Sequence, residues 1–556
     1  MRSFVEPHRG ARIDSVPGQA TVVVCTFPLA AETARDAAEW AWAPGLMMMQ
    51  TYSSDPPGST LVLANEEATR RLAADVANML EPGDFLALSG DLGAGKTTFV
   101  RAMITHLASD AAIEVPSPTF TLVQHYDLPR FRVVHADLYR VAGADELAEL
   151  GLDETADSVV MMEWPDRAGG ALPQDRIDIA FTLAPQDGIE RRIVHMDGRG
   201  AATARVDRLG AMLGFLDKAG FGAAARARIA GDASTRSYER LVNGGNRFIL
   251  MNSPRRPDGP PIKHGLPYSA IAHLAEDVKP FVAVAKALRE RGFSAPKVFR
   301  ADHDAGFAVV EDLGTELVVA GDPPLPIAER YERAVDVLVE LHRHDLPDVL
   351  PVTPQVDYRI PLYDLDAFLI EVELLIDWYL PLRGAPATAQ ARTEFLSLWR
   401  DALRPALDAR KTWVLRDFHS PNLLWLADRS GIAQIGLLDF QDTVMGPEAF
   451  DVASLLQDAR VDVAEELEMA LFTRYVQARG AHDRNFDADA LGRLYATLAA
   501  QRATKILGIF ARLDRRDGKP QYLRHLPRIY AYVRRALSHP ALAALRDWYH
   551  ARVPPP

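Results

Sequence analysis

The stretch Ser89-Gly90-Asp91-Leu92-Gly93-Ala94-Gly95-Lys96-Thr97-Thr98 follows directly on the apolar run Phe85-Leu86-Ala87-Leu88. The G-x-x-x-x-G-K-T spacing from Gly90 to Thr97, behind a strand and ahead of a helix-compatible segment, reads as a phosphate-binding loop. Glycines at these positions let backbone N–H groups close around phosphates, Lys96 adds a mobile point charge, and Thr97 offers a hydroxyl to Mg²⁺ at a helix N-terminus. On this reading Gly90, Asp91, Gly93, Ala94, Gly95, Lys96, Thr97 and Thr98 bind the nucleotide, and Thr97 is also a metal ligand.

Working outward, apolar periodicity predicts helices over 66–80 and 97–107 and strands over 85–89, 132–136 and 158–162, the pattern of an α/β fold with a parallel-rich sheet. Two of these strands deliver acids at their carboxyl ends, where ligands of such sheets collect: Val133-Val134-His135-Ala136-Asp137 and Val159-Val160-Met161-Met162-Glu163. Asp137 and Glu163 are therefore candidate ligands of one Mg²⁺. The plain alternative is that acids end strands because loops are wet.

The chain has 556 residues, which predicts several domains. Lys and Arg total 62 against 75 Asp and Glu, a net charge of −13, so the broad basic footprint of a nucleic-acid binder is missing. Cys25 is the only cysteine, which excludes an intramolecular disulfide framework and suits a reducing cytoplasm. No apolar run is long enough for a membrane span. Residues 1–58 read as a disordered extension, or as an overextended start with the true beginning near Met47, and Cys25 within them has no assigned role.

After 59–204, the glycine-containing stretch Asp197-Gly198-Arg199-Gly200-Ala201-Ala202 reads as a linker, with a second domain over 205–556. There, Thr412-Trp413-Val414-Leu415-Arg416-Asp417-Phe418-His419-Ser420-Pro421-Asn422 places an aspartate five residues before an asparagine, and Leu437-Leu438-Asp439 follows after a short hairpin. In phosphotransferase chemistry the aspartate of such a loop accepts the acceptor hydroxyl's proton, while the asparagine and a later aspartate hold Mg²⁺ against the phosphates. Asp417 is the candidate catalytic base, and Asn422 and Asp439 are the candidate metal ligands. A lone residue of this kind is more often a turn cap; the joint spacing argues for the site.

With these residues in view, the first half resembles the TsaE family, the ATPase subunits of the bacterial machinery that makes threonylcarbamoyladenosine in tRNA. The likeness rests on the phosphate loop, Ser117-Pro118-Thr119-Phe120-Thr121, His135-Ala136-Asp137-Leu138-Tyr139-Arg140, Glu146-Leu147, Leu150-Gly151-Leu152 and Glu163-Trp164-Pro165-Asp166. It implies ATP and Mg²⁺, a hydrolytic role for Asp137 and Glu163, a switch-like loop that brings Thr119 to the nucleotide, and partners of the TsaB and TsaD kinds, with tRNA met only through the complex. A generic ATPase coupled to something else is the rival reading.

The second half resembles the aminoglycoside phosphotransferase and choline kinase superfamily, a two-lobed α+β protein-kinase-like fold. Within it, the AmgK family of anomeric kinases for N-acetylmuramate and N-acetylglucosamine is the closer match. The added motifs are Gly231-Asp232-Ala233-Ser234-Thr235-Arg236-Ser237-Tyr238, Glu311-Asp312-Leu313-Gly314, Gly446-Pro447 and the run from Phe450-Asp451 to Asp458-Ala459-Arg460. The resemblance implies that Ser234, Thr235 and Arg236 cover the nucleotide and that 311–314 is an interlobe hinge. Two positions depart from the superfamily: Leu415 stands where a loop-buttressing histidine is usual, and Met251 stands where a strand lysine would pin the phosphates, leaving Arg236 or Arg255 as the replacement charge.

Lesser candidates read more plainly. His135 and His419 lack a second ligand at metal spacing and suit packing or hydrogen-bonding roles. Trp378 lies in a helical apolar pattern and reads as core, with a sugar-facing role as the sharper alternative. The Arg/Lys-rich stretch 501–535 reads as a solvated helical face. Together the expectation is a cytoplasmic bifunctional chain: a TsaE-like ATPase followed by a small-molecule, sugar-directed kinase, both using MgATP, with no membrane contact. A kinase for another alcohol, of the aminoglycoside or choline type, and a non-catalytic pseudokinase scaffold are the alternatives.

Overall fold

The computed structural model describes residues 58–141, 157–188, 190–229, 236–255 and 259–556. The amino-terminal extension, Cys25, the Glu146–Leu152 motifs and the candidates Ser234 and Thr235 lie outside the described residues.

The first sheet holds seven strands: β1 Ser59–Leu63, β2 Phe85–Gly90, β3 Val123–Asp127, β4 Arg132–Asp137, β5 Ser158–Glu163, β6 Arg176–Leu183 and β7 Arg192–Arg199. Their order is β1-β7-β6-β2-β5-β4-β3. The centre β6-β2-β5-β4 is parallel and the edges are antiparallel. Leu86, Leu88, Val159 and Met161 are wholly buried, as expected of strands covered on both faces. Helix α1, Glu66–Met79, starts at Asn65, whose side chain accepts from the Ala68 N–H, and buries Leu72, Ala73, Val76 and Ala77. Helix α2, Lys96–Ala108, starts at Gly95 with no side-chain cap, which leaves its first-turn N–H groups turned toward the phosphate loop. Predicted and observed elements agree here to within a residue or two.

The expected linker is not one. Residues 197–199 finish β7, and helix α3, Thr203–Lys218, follows after a single 3₁₀ turn. Glycine at 198 serves close packing rather than flexibility, since a Cβ there would lie 2.7 Å from the Cα of Thr203.

Helix α3 ties the first sheet to a second one. On one side Arg205 grips both carboxylate oxygens of Asp84, just before β2. On the other, Arg208 stacks 3.8 Å over Phe307 and donates to the Asn252 side chain, while Phe215 stacks on Phe307 with centroids 5.6 Å apart. That second sheet has the antiparallel order β11-β12-β10-β9-β8, with β8 Ala225–Ile229, β9 Ser237–Asn243, β10 Asn246–Asn252, β11 Val298–Asp302 and β12 Phe307–Glu311. One face of it, Leu241, Leu250, Phe307 and Val309, joins the same apolar cluster as Leu72, Phe99, Val206 and Leu209. The other face, Met251, Ala308 and Val310, belongs to the large carboxy-terminal core, with helix Lys279–Glu290 packed in it.

Beyond Glu311–Gly314 the chain forms a predominantly helical lobe, built round Ala328–Arg343, Leu365–Leu374, Ala449–Leu456 and the thirty-residue helix Ala488–Asp517. No helix among the described residues is long and apolar enough to cross a membrane. Trp378 sits half-buried in a π turn, Leu375–Tyr379, packed against the core as expected.

The shared cluster gives a direct expectation. Leu209 is 5% exposed, so Leu209→Ala costs about 2–4 kcal/mol and lowers the urea midpoint of the transition that unfolds both sheets. A second, unshifted transition for either sheet would show that the two do not share stability.

Candidate active sites

In the first half, three elements converge on the phosphate loop. Gly90, Gly93 and Gly95 take φ values of 130°, 78° and 112°, which side-chain-bearing residues rarely adopt, and so curl the loop between β2 and α2. Lys96 is buried; its Nζ donates to the carbonyls of Gly90 at 2.7 Å and Asp91 at 3.0 Å and lies 3.9 Å over the Trp164 ring. Burial lowers the Lys96 pKa, against the pull of Glu163 and Asp137.

Parallel pairing sets Asp137 opposite Glu163 at the ends of β4 and β5. Each carboxylate is held by a hydroxyl: Thr97 Oγ1 donates to Glu163 Oε2 at 3.0 Å, and Thr119 Oγ1 donates to Asp137 Oδ2 at 2.8 Å. His135 Nε2 pairs with Glu163 Oε1 at 3.0 Å, the hydrogen-bonding role expected of it. The loop 117–121 therefore touches the acid pair through Thr119. The donor set of one hydroxyl and two buried carboxylates suits Mg²⁺, which takes few protein ligands and completes its shell with phosphate oxygens and water.

In the second half, the strand Lys411–Val414 pairs with Val444–Pro447 and feeds the loop that carries Asp417. Two acids from the 450–460 run hold that loop by its backbone. Asp451 accepts from the N–H groups of Leu415 at 2.6 Å and Arg416 at 2.9 Å, and Asp458 accepts from Ser420 at 2.8 Å. Burial pushes Asp451 up to about 7 in spite of its two donors. Leu415, where a histidine is usual, is buried in the core, so here the main-chain grip of Asp451 fixes the loop.

Asn422 Nδ2 reaches back to the Asp417 carbonyl at 3.0 Å, and its own carbonyl accepts from Leu438 N–H at 2.9 Å, which brings Asp439 alongside. Asp439 sits at φ 56° and receives Gln441 Nε2 at 2.7 Å and Arg236 Nη1 at 3.2 Å. Burial, with the charge of Asp417 facing it, raises Asp439 to about 6. A buried acid raised by a neighbouring carboxylate makes a place for a cation, and Asn422 and Asp439 fit Mg²⁺ on that ground. Of the two arginines considered as replacements for the strand lysine, Arg236 reaches the site, Arg255 is solvent-exposed, and Met251 is buried in the core.

A model described as threonylcarbamoyl adenosine biosynthesis protein TsaE matches residues 63–193, and one for the phosphotransferase enzyme family matches 226–488. An N-acetylmuramate/N-acetylglucosamine kinase of Caulobacter vibrioides is 38% identical over 365 residues, covering 63% of this chain and 98% of its own length. The chain belongs to the N-acetylmuramate/N-acetylglucosamine kinase family. Its first half belongs equally to the TsaE family: the Rickettsia bellii TsaE is 36% identical over 130 residues, covering 23% of this chain and 90% of that protein. The crystal structure of Bacillus subtilus YdiB matches at 30% identity, covering 28% of this chain and 95% of its own, with a TM-score of 0.23. The protein is thus a phosphotransferase joined to a TsaE-type ATPase domain.

Several site residues of this fused kinase escaped sequence reasoning. In the first half, Arg192 on β7 lies against Gly95 and donates to the Ala94 carbonyl at 3.0 Å, and Trp164 roofs Lys96. In the kinase half, Arg416 is 3% exposed and takes φ 65°; its guanidinium pairs with buried Glu371 and donates to the Ala272 carbonyl at 2.7 Å. Glu371 also receives Lys505 Nζ at 2.7 Å, Gln501 Nε2 at 2.9 Å and the Tyr363 hydroxyl at 2.6 Å. The expectation of a solvated face over 501–535 is therefore wrong for its first turns. Gln501 and Arg502 are buried and Lys505 turns inward, where Lys505 meets Glu371 and Arg502 faces the charges of Asp458, Asp417 and Asp451.

Burial alone would raise Glu371, but Lys505 and Arg416 outweigh it and hold the carboxyl at about 2, below its ordinary 4.5. A depressed pKa stabilises the fold fully above the unfolded value, so this contribution is complete above about pH 4.5 and is lost as pH falls toward 2. Glu371→Gln leaves two buried cations short of their anion; we expect a loss of about 3–5 kcal/mol, measured by denaturant unfolding at pH 7, and a shallower acid limb than wild type. Helix contact supplies a second test. A Cβ at Gly508 would lie 2.3 Å from the Leu374 backbone, so Gly508→Ala must part the two helices that carry Lys505 and Glu371, with a lower thermal midpoint and weaker kinase turnover together.

Proposed function

We propose that the protein has two MgATP-dependent activities: a TsaE-type ATPase acting with TsaB- and TsaD-like partners in tRNA threonylcarbamoyladenosine formation, and a kinase that phosphorylates N-acetylmuramate and N-acetylglucosamine at the anomeric hydroxyl. The observation that carries the kinase reading is the loop hung on Asp451 and Asp458, which presents Asp417, Asn422 and Asp439 together. Family membership over almost the whole length of the Caulobacter relative supports the acceptor class.

In the kinase half, Asp417 orients the sugar hydroxyl and accepts its proton as the oxygen attacks the γ-phosphorus of ATP, and ADP departs. Mg²⁺ bound by Asn422 and Asp439 would neutralise charge on the phosphates. Arg236, already on Asp439, adds positive charge at the nucleotide side. In the first half the loop N–H groups and Lys96 bind phosphate, Thr97, Asp137 and Glu163 would hold Mg²⁺, and Glu163 positions the hydrolytic water. Thr119 on Asp137 couples loop 117–121 to the state of the nucleotide. TsaB- and TsaD-like proteins meet this half, and tRNA reaches it only through that complex, in the cytoplasm.

The full chain is expected to transfer phosphate from MgATP to both amino sugars, detected by product mass, with the phosphate position read by NMR. Asp417→Asn lowers kcat about 10²–10⁴-fold, the usual worth of a general base. Transfer to choline or an aminoglycoside in place of the amino sugars, or to none of them, contradicts the reading. For the first half, wild-type chain added to TsaB- and TsaD-like proteins with tRNA supports threonylcarbamoyladenosine formation, and Lys96→Ala does not; equal yields with both would overturn the assignment.

A further inference from the structure

A cavity of about 550 Å³ opens between segment 317–324, just past the interlobe connector, and Ser420–Pro421 of the catalytic loop. Its size suits a monosaccharide. Its far wall comes from the carboxy-terminal helices and carries Arg460, Arg524, His525 and Arg528. Arg460 closes the 450–460 run, and Arg524, His525 and Arg528 lie beyond it.

Three features make this wall a site rather than a scatter of surface charge. First, Arg460 is placed by the catalytic loop's own anchor: Asp458 accepts from the Arg460 N–H at 2.8 Å through one oxygen and from the Ser420 N–H through the other. Second, Arg528 is fixed in turn, paired with Asp462 and donating to the Ala459 carbonyl at 3.3 Å, while His525 lies 3.2 Å from both Arg528 and Arg524. Third, the lining is net positive, with Arg460, Arg524 and Arg528 against the single acid Asp322. Burial, then Arg524, Arg528 and Arg460, push His525 down to about 4, so the imidazole is neutral at pH 7 while the guanidinium charges remain. Arg524 itself is exposed at the rim.

The ligand chemistry follows from position. Ser420 is three residues from Asp417, a chain distance of at most about 10 Å and so the scale of one substituted pyranose. We propose that this cavity is an acceptor subsite for a carboxylate, in which Arg524 and Arg460 receive the acid group of an acidic amino sugar and so favour it over the neutral one. This rests on the amino-sugar kinase reading above. Guanidinium groups suit the task because they meet a carboxylate with paired, charge-assisted hydrogen bonds.

The test compares kcat/KM of the full chain for N-acetylmuramate, which carries a carboxylate, with that for N-acetylglucosamine, which does not. Arg524→Glu is expected to lower the N-acetylmuramate to N-acetylglucosamine ratio about ten-fold or more, chiefly through the KM for N-acetylmuramate, and Arg524→Lys to keep most of it. Arg460→Gln should move the ratio the same way and guards against an effect peculiar to the rim. Wild-type phosphorylation of both sugars with a ratio unmoved by Arg524→Glu and Arg460→Gln overturns the subsite and leaves the kinase reading standing. Equal loss on both sugars marks a purely structural role and overturns it as well. Wild-type failure on both sugars overturns the kinase reading and the subsite together.

Discussion

The kinase half depends on one buried cation. Arg416 immediately precedes the candidate base, its backbone sits in the left-handed region, and its guanidinium is sealed among Glu371, Tyr363 and the Ala272 carbonyl. A non-glycine residue in that conformation persists only where its surroundings over-determine it. Here they do: Asp451 holds its N–H, and Glu371 holds its side chain. The direction in which Asp417 points is thereby set by contacts made by the residue before it, and those contacts reach to Lys505 on a distant helix.

The first half solves a similar problem with hydroxyls and a histidine. Glu163 and Asp137 stand side by side at two strand ends, and hydroxyls of Thr97 and Thr119, with His135, hold them there. Hydroxyls can release a carboxylate to a metal at little cost, whereas a guanidinium pair would compete for it. Fixed ion pairs therefore sit behind the kinase loop, and exchangeable hydrogen bonds sit inside the ATPase site. Arg236 on Asp439 is a charged contact made directly on a candidate metal ligand.

Much of this was legible in the sequence, for identifiable reasons. Strands β2, β4 and β5 and helices α1 and α2 have strong periodicity and stop where the pattern stops. The spacing of Asp417, Asn422 and Asp439 is local, so a hairpin, Leu423–Trp425 with Ile435–Leu437, suffices to bring them together. What escaped is nonlocal. Glu371 and Lys505 are 134 residues apart, and each looks alone like part of an ordinary helix. The joint between the halves escaped for a different reason: the glycine at 198 mimics flexibility, yet it serves close approach, pressed against Thr203 and Val206 of α3. Closely packed glycine and free glycine look identical until the neighbour is known.

Helix α3 also settles how the two halves are built, since its residues share one apolar cluster with both sheets. Two candidate nucleotide sites of unrelated design are thus mounted on a common core, which makes their separate occupancy the central claim. Calorimetric titration of the full chain with a non-hydrolysable ATP analogue and Mg²⁺ tests it most directly. The account predicts two nucleotides per chain, falling to one in Lys96→Ala and to one, by loss of the other site, in Asp439→Ala. A single nucleotide bound by the wild-type chain, or a stoichiometry that both variants leave at two, would contradict it.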